Sequence, residues 1–304
     1  MHPPTTDTPR IRQLPDDELL APSWLDALCP PPAAPSGDAT LNHAAQNGML
    51  RVHAALPHAS TMDARQLEDT VEDLYTRLFD LLDQTGHPHL LRLWNGLPGI
   101  VQPITAPADQ LADWESQAPE HEPFDRYMAF NAGRTAAFVQ RFGEDQLPHR
   151  TPAATAVGHL GEHLQVHLLA SEQPGEALEN PRQTPAYRYS PRFGPSPPVF
   201  VRAMRFGQHL FVSGTASIVG EESQHPNQLQ AQFDETLANL RAVMAGIGEP
   251  DDRLRHFRIY ATDAEDLPAL ARGIESAYPS RVSIELMRSD ICRNNLCLEI
   301  EAAS

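Results

Sequence analysis

From Asp63 onward the stretch DARQLEDTVEDLYTRLFDLLDQTG sets Leu67, Val71, Leu74, Leu78 and Leu81 three and four positions apart. That spacing predicts one apolar stripe along a helix, with Gly86 as its stop. Further helices are predicted over FDRYMAFNAGRTAAFVQRFG, from Asn227 to Ile247 (Leu229, Phe233, Leu237, Leu240, Met244), and near LPALARGIESAY. Short runs rich in branched and aromatic residues read as strands: HLLRLW, AATAVG and HLQVHLLA in the first half, VFVRAM, HLFVSG, HFRIYA and VSIELM in the second. In the closing run LCLEIEA, Leu296, Leu298 and Ile300 point one way while Cys297, Glu299 and Glu301 point the other, as in a half-buried strand. Glu299 then faces either solvent or a cleft in which a rigid strand holds a carboxylic acid for proton transfer.

The same pattern divides the chain. Residues 1–45 contain LCPPPAAPSGDA and little periodicity, which predicts a proline-rich arm that packs weakly, with order beginning near MLRVHAAL. Residues 46–178 and 199–304 then run through strands and helices in a similar order, without a residue-level repeat. Residues 179–198, ENPRQTPAYRYSPRFGPSPP in their bulk, hold too many prolines for an element and form a connector. Hairpin-like strand pairs beside crossovers predict an α+β protein, with mixed sheets and helices on one face, and not a doubly wound parallel sheet.

Charge narrows the partners. The net charge of −17 repels nucleic acid and anionic membranes, although a local arginine cluster can still reverse the potential inside one pocket. No apolar run approaches the roughly 20 residues a membrane span needs. MHPPTTDTPRIRQLPDD lacks the basic and apolar regions of a secretory signal, so a cytoplasmic protein is expected. Cys29, Cys292 and Cys297 form no CxxC pair, and there is no HExxH, P-loop or GxGxxG. His159, His163 and His167 are spaced HxxxHxxxH, but their alternation with leucines reads as strand, which would set neighbours about 13 Å apart, too far for one metal. No metal or cofactor is expected.

Candidate chemistry lies elsewhere. The connector concentrates Tyr187, Arg188, Tyr189 and Arg192, a combination suited to a carboxylate ligand or, equally, to a surface linker whose aromatics pack on a domain. FNAGR adds Arg134. FVSGTASIVG runs from a strand into Ser213, Gly214, Thr215, Ala216 and Ser217, small residues that admit a ligand to the backbone or mark a bulge. Cys292 and Glu299 are separated by a turn-like RNN and can face one cleft, or Cys292 can be a small core residue.

RLWNGLPGI, RYMAFNAGR, PAATAVG, ENPRQTPAYRYSPRFGP, LFVSGTASIVG and SDICRNNLCLEIEA, taken together and in this order, resemble the chorismatases, which remove pyruvate from chorismate. The resemblance runs from about Leu91 to the C-terminus. It implies a RidA/YjgF-like fold, related to trimeric chorismate mutase, preceded by a degenerate half of similar topology, in a monomer or a trimer. Glu299 matches the family's catalytic acid, which protonates the enolpyruvyl methylene and needs a raised pKa to do so. Arg134 and Arg188 would hold the substrate carboxylates, with Tyr187 and Tyr127 as neutral donors and Ala216 and Ser213 lining the pocket. Cysteine at the position of Cys292 accompanies a hydroxybenzoate product, 3- or 4-hydroxybenzoate, of the kind used in pigment and other secondary metabolism. Thr262 and Gly96 depart from the family's pattern, which would weaken carboxylate binding or shift the substrate if either touches it. The competing expectations are a RidA-type enamine or imine deaminase and a non-catalytic binder of an aromatic carboxylate.

Overall fold

The computed structural model describes residues 11–32 and 41–304, and within them two sheets repeat one strand order. The first half runs β1 (Ile11–Gln13), β2 (Leu41–Gln46), β3 (Met49–Leu56), α1 (Ala64–Gln84), β4 (His89–Pro98), α2 (Ala108–Gln117), α3 (Arg126–Phe142), α4 (Leu147–Arg150), β5 (Ala153–His159) and β6 (Leu164–Ser171). The second runs β7 (Glu176–Leu178), β8 (Ala203–Phe206), β9 (His209–Thr215), β10 (Ile218–Val219), β11 (Glu222–Ser223), α5 (Leu229–Gly246), β12 (His256–Ala261), α6 (Leu267–Ala277), β13 (Ser283–Arg288) and β14 (Leu298–Ala303). The first sheet is ordered β2-β3-β6-β4-β5 and the second β1-β13-β12-β14-β9-β8-β7. Each has one hairpin, a last strand inserted beside it, and then a parallel pair, β4/β5 in one and β12/β13 in the other. The protein is α+β with mixed sheets, as the irregular alternation predicts.

Local signals explain the helices. α1 begins with a reciprocal cap, in which the Gln66 N–H donates to Asp63 Oδ1 at 2.9 Å and the Asp63 N–H donates to Gln66 Oε1 at 3.1 Å. Its stripe of Leu67, Val71, Leu74 and Leu78 is buried against the first sheet and α3. A Cβ at Gly133 of α3 would stand 2.1 Å from the Glu68 carbonyl oxygen of α1, so the close helix crossing requires glycine there. α5 and α6 cover one face of the second sheet with Phe233, Leu237, Leu240, Leu270 and Ile274.

The helix-free faces of the two sheets form a third core with Trp94, Val157, Phe211, Tyr260 and Met287. Residues 14–29 are threaded into it. Here the weakly packing arm is corrected: β1 adds to the second sheet beside β13, Leu14, Leu19, Leu25 and Cys29 are buried, and Trp24 stacks on Phe211 at 5.6 Å. Prolines removed the periodicity of this stretch but not its apolar anchors. Residues 41–45 of the arm are also ordered, as part of β2, while residues 1–10 and 33–40 lie outside the described residues. The histidine strand is also corrected: β5 ends at His159, a turn carries His163, and His167 belongs to β6, where it stacks on His53 at 4.5 Å.

Candidate active site

Where β5 approaches β9 and Val201, just before β8, the two sheets enclose a cavity of about 230 Å³. Their junction is stitched by Ser213. Its hydroxyl donates to the Val201 carbonyl at 2.5 Å and accepts the Ala154 N–H at 2.9 Å, so this predicted pocket residue is a structural tie that does not line the cavity. β14 enters with Leu298, Ile300 and Ala302 turned to the helices, which leaves Glu299 and Glu301 on the opposite face. That face is interior: Glu299 is 5% exposed and Glu301 4%. Period two placed both glutamates on the polar side, and the solvated alternative fails because the first sheet packs there.

The two carboxylates have different surroundings. Glu301 pairs with Arg92 at 2.8 Å and accepts hydrogen bonds from Trp94 Nε1 at 2.9 Å and Thr155 Oγ1 at 2.6 Å. Glu299 lines the cavity. Burial, followed by the neighbouring charge of Glu301, pushes its pKa up to about 8 against the opposing pull of Arg92 and Arg202. The side chain has room because β9 carries a bulge opposite β14 and has no side chain at Gly214. A Cβ there would lie 1.8 Å from Glu299 Oε1. The small-residue run SGTAS is therefore both a bulge and a cavity wall, since Ala216 also lines the space.

Facing Glu299 are buried cations without enough partners. Arg134 is 1% exposed, lies over the rings of Tyr75 and Phe138 at 5.5 and 5.4 Å, and leaves Nε and Nη2 buried without a hydrogen bond. Arg202 donates through Nη2 to the Thr184 carbonyl at 2.9 Å and to Tyr189 Oη at 2.8 Å, while its Nε has no partner. Buried, unsatisfied guanidinium nitrogens are costly, and an anionic ligand satisfies them. Tyr127, from the same helix as Arg134, lines the cavity with a phenol whose pKa burial raises, so it offers a neutral donor. Cys292 stands beside them. Burial first, then Glu299, raises its thiol to about 12, so it is protonated and uncharged at neutral pH.

The connector contributes different residues from those expected. A single helical turn at Ala186–Arg188 leaves Arg188 exposed and Tyr187 outside the cavity lining. Tyr189, Arg192 and Phe193 form the wall instead. Arg293 lies over Phe193 at 4.0 Å and Arg192 pairs with Glu222 at 2.7 Å, which fixes this wall to the turn before β14 and to β11. Thr262 and Gly96 do not line the cavity: Thr262 bonds the Cys297 carbonyl, and Gly96 packs on Leu19 and His159. Sequence reasoning missed Arg202 and Asp125. For Arg202 a signal existed, a lone charge between buried Val201 and Ala203 in VFVRAM. Asp125 precedes the helical run RYMAF and reads simply as its cap.

Among the described residues no cluster of three His, Cys, Asp or Glu side chains is placed to hold a metal ion, and no helix is long and apolar enough to cross a membrane. The site can hold an organic anion and deliver a proton to it.

Comparison with known proteins matches residues 32–170 to a family model described as "Chorismatase FkbO/Hyg5-like, N-terminal". A "3-hydroxybenzoate synthase" of Streptomyces hygroscopicus is 32% identical over 246 residues, 75% of this chain and 66% of that protein. A "Chorismatase" of Streptomyces rapamycinicus is 31% identical over 75% of this chain and 67% of its own length. The aligned part of the chain thus spans about two thirds of these relatives. A chorismatase crystal structure superposes with a TM-score of 0.73 at 28% identity, covering 90% of this chain and 79% of that one.

Proposed function

The chain belongs to the chorismatase family, and from that premise we propose that it converts chorismate to pyruvate and 3- or 4-hydroxybenzoate with Glu299 as the general acid. One observation carries this reading: a buried glutamate whose pKa is about 8 shares a cavity with Arg134 and Arg202, two buried guanidiniums that each keep at least one nitrogen without a hydrogen-bond partner. Chorismate is a dianion bearing an enol ether. Two arginines suit its two carboxylates, each charge-assisted hydrogen bond contributing about 1.5–3 kcal/mol.

Protonated at neutral pH, Glu299 gives its proton to the terminal methylene carbon, which becomes a methyl group. The adjacent carbon becomes an oxocarbenium stabilised by the ether oxygen. Transfer of a proton to carbon is the difficult step, and an acid with a pKa near the working pH is matched to it. Neutral Cys292 beside the acid adds no negative charge to a site already receiving a dianion, and its bulk excludes water, which favours the aromatic product over hydrolysis to a diol. The name of the Streptomyces hygroscopicus relative agrees with a hydroxybenzoate.

The test incubates purified protein with chorismate, couples pyruvate to lactate dehydrogenase and identifies the ring product by chromatography. Pyruvate formation that is lost in Glu299→Gln supports the reading. Pyruvate at the uncatalysed background with the unaltered protein defeats it.

A further inference from the structure

Chorismate and the pair hydroxybenzoate plus pyruvate are isomers, so the reaction consumes neither water nor an oxidant. When the ring C–O bond breaks, its electron pair goes to the pyruvyl oxygen. The pyruvyl methylene gains one proton, and the ring side must lose one as it becomes aromatic. Resting on the reading above, Glu299 accounts for the first proton. The second needs an acceptor, and the cavity lining can be searched for one.

Few groups qualify. Arg134, Arg192, Arg202 and Arg293 are cations, and the Cys292 thiol and the Tyr127 phenol hold their own protons at neutral pH. Tyr189 Oη is already engaged by Arg202, and Glu222 by Arg192. Glu122 is exposed at the rim. Among the described residues no histidine lines the cavity. Asp125 remains, on the loop leading into α3, with one carboxylate oxygen accepting the Met128 N–H at 2.9 Å as the helix cap. We propose that Asp125 is the proton acceptor of the ring half-reaction, working with Glu299 as donor within one cavity.

The electrostatics agree with that division. Burial, with a further push from Glu122, raises Asp125 to about 7, against hydrogen bonds from the Met128 and Tyr127 N–H groups. Cys292 is close enough to both acids that each contributes to raising its thiol. The charged and titratable groups that share the cavity with Asp125 are Glu122 on its own loop, Tyr127 and Arg134 on α3, Tyr189 and Arg192 on the connector, Arg202 before β8, Glu222 on β11, Cys292 and Arg293 on the turn before β14, and Glu299 on β14. Turnover needs Asp125 ionised and Glu299 protonated. It should therefore rise with pH through about 7 and fall through about 8, a narrow bell.

Asp125→Asn and Asp125→Ser separate the base from the cap, because both replacements cap a helix well but accept no proton. In a folded variant the expected result is hydroxybenzoate formation reduced on the order of 10²-fold or more. The rise near pH 7 should vanish, and hydroxybenzoate should fall relative to pyruvate as the ring is diverted to a non-aromatic diol. A variant with unaltered product ratio and an intact acidic limb would show that Asp125 is only a cap. Should neither variant fold, an unaltered protein whose turnover falls near pH 8 without rising near pH 7 overturns the proposal just as firmly. An unaltered protein that releases no pyruvate removes the chorismatase reading itself and the base with it, an outcome distinct from active enzyme with an indifferent Asp125.

Discussion

Glu299 and Glu301 lie two residues apart on one face of one strand, equally buried, and occupy different chemical worlds. Around Glu301 the protein closes: Arg92 neutralises it, Trp94 and Thr155 bond it, and it does not line the cavity. Around Glu299 the protein opens: a bulge in β9 and the absence of a side chain at Gly214 leave the carboxyl beside a cavity lined by arginines with unsatisfied nitrogens. Burial alone therefore does not make a carboxylic acid reactive. What separates the two is whether the counter-charge is built in or left for a ligand to supply.

The largest test removes the open side. Glu299→Gln should cut kcat roughly 10²- to 10⁴-fold with little change in KM, measured as pyruvate release, because the amide keeps the shape but cannot protonate carbon. Next comes the closed side. Glu301→Gln strands buried Arg92, which should cost about 3–5 kcal/mol in urea denaturation. It also removes one of the charges that raise Glu299, so the alkaline limb of the pH–rate profile should move below about 8. Gly214→Ala keeps both acids but places a methyl where Glu299 Oε1 sits. Displacing the acid by about 1 Å should lower kcat on the order of 10²-fold in a protein that still folds.

The smallest effect is thermodynamic. Glu299 holds its proton in the fold up to about pH 8, whereas its ordinary value is 4.5. Between those values the folded chain binds more protons than the unfolded one, so stability falls as pH rises, and the full cost is present above pH 8. Glu299→Gln should accordingly melt several degrees above the unaltered protein at pH 9, the gap closing by pH 4.5, as read by calorimetry.

Much of this arrangement was legible before any coordinates. Leucine spacing located α1 and α5, alternation located β14 with its two glutamates, and the ordered motifs pointed to Glu299, Cys292, Arg134, Tyr127 and Ala216, all of which line the cavity. Legibility failed where local pattern and three-dimensional position part company. Ser213 looks like a pocket residue because it sits in a small-residue run, yet the bulge turns its hydroxyl onto the neighbouring sheet. Arg188 and Tyr187 share a proline-rich stretch with Tyr189 and Arg192, and only the turn at Ala186–Arg188 decides which pair faces inward. Arg202 was read as part of a strand. In fact it stands in an irregular segment just before β8, where alternation carries no information.

The threading of residues 14–29 between the sheets sets the timetable of folding. The Ser23 N–H bonds Glu285 Oε1 at 3.0 Å across 262 residues of chain, and β1 pairs with β13. Contacts so distant in sequence form late, because loop closure must precede any gain from them. As the chain leaves the ribosome, the first sheet has all its strands long before β13 and β14 exist, and Trp24 has only part of its final bed, Trp94 without Phe211 and His256. The early part of the chain thus finds its seat among the last, and the cavity wall made by Glu299 is completed in the same closing event.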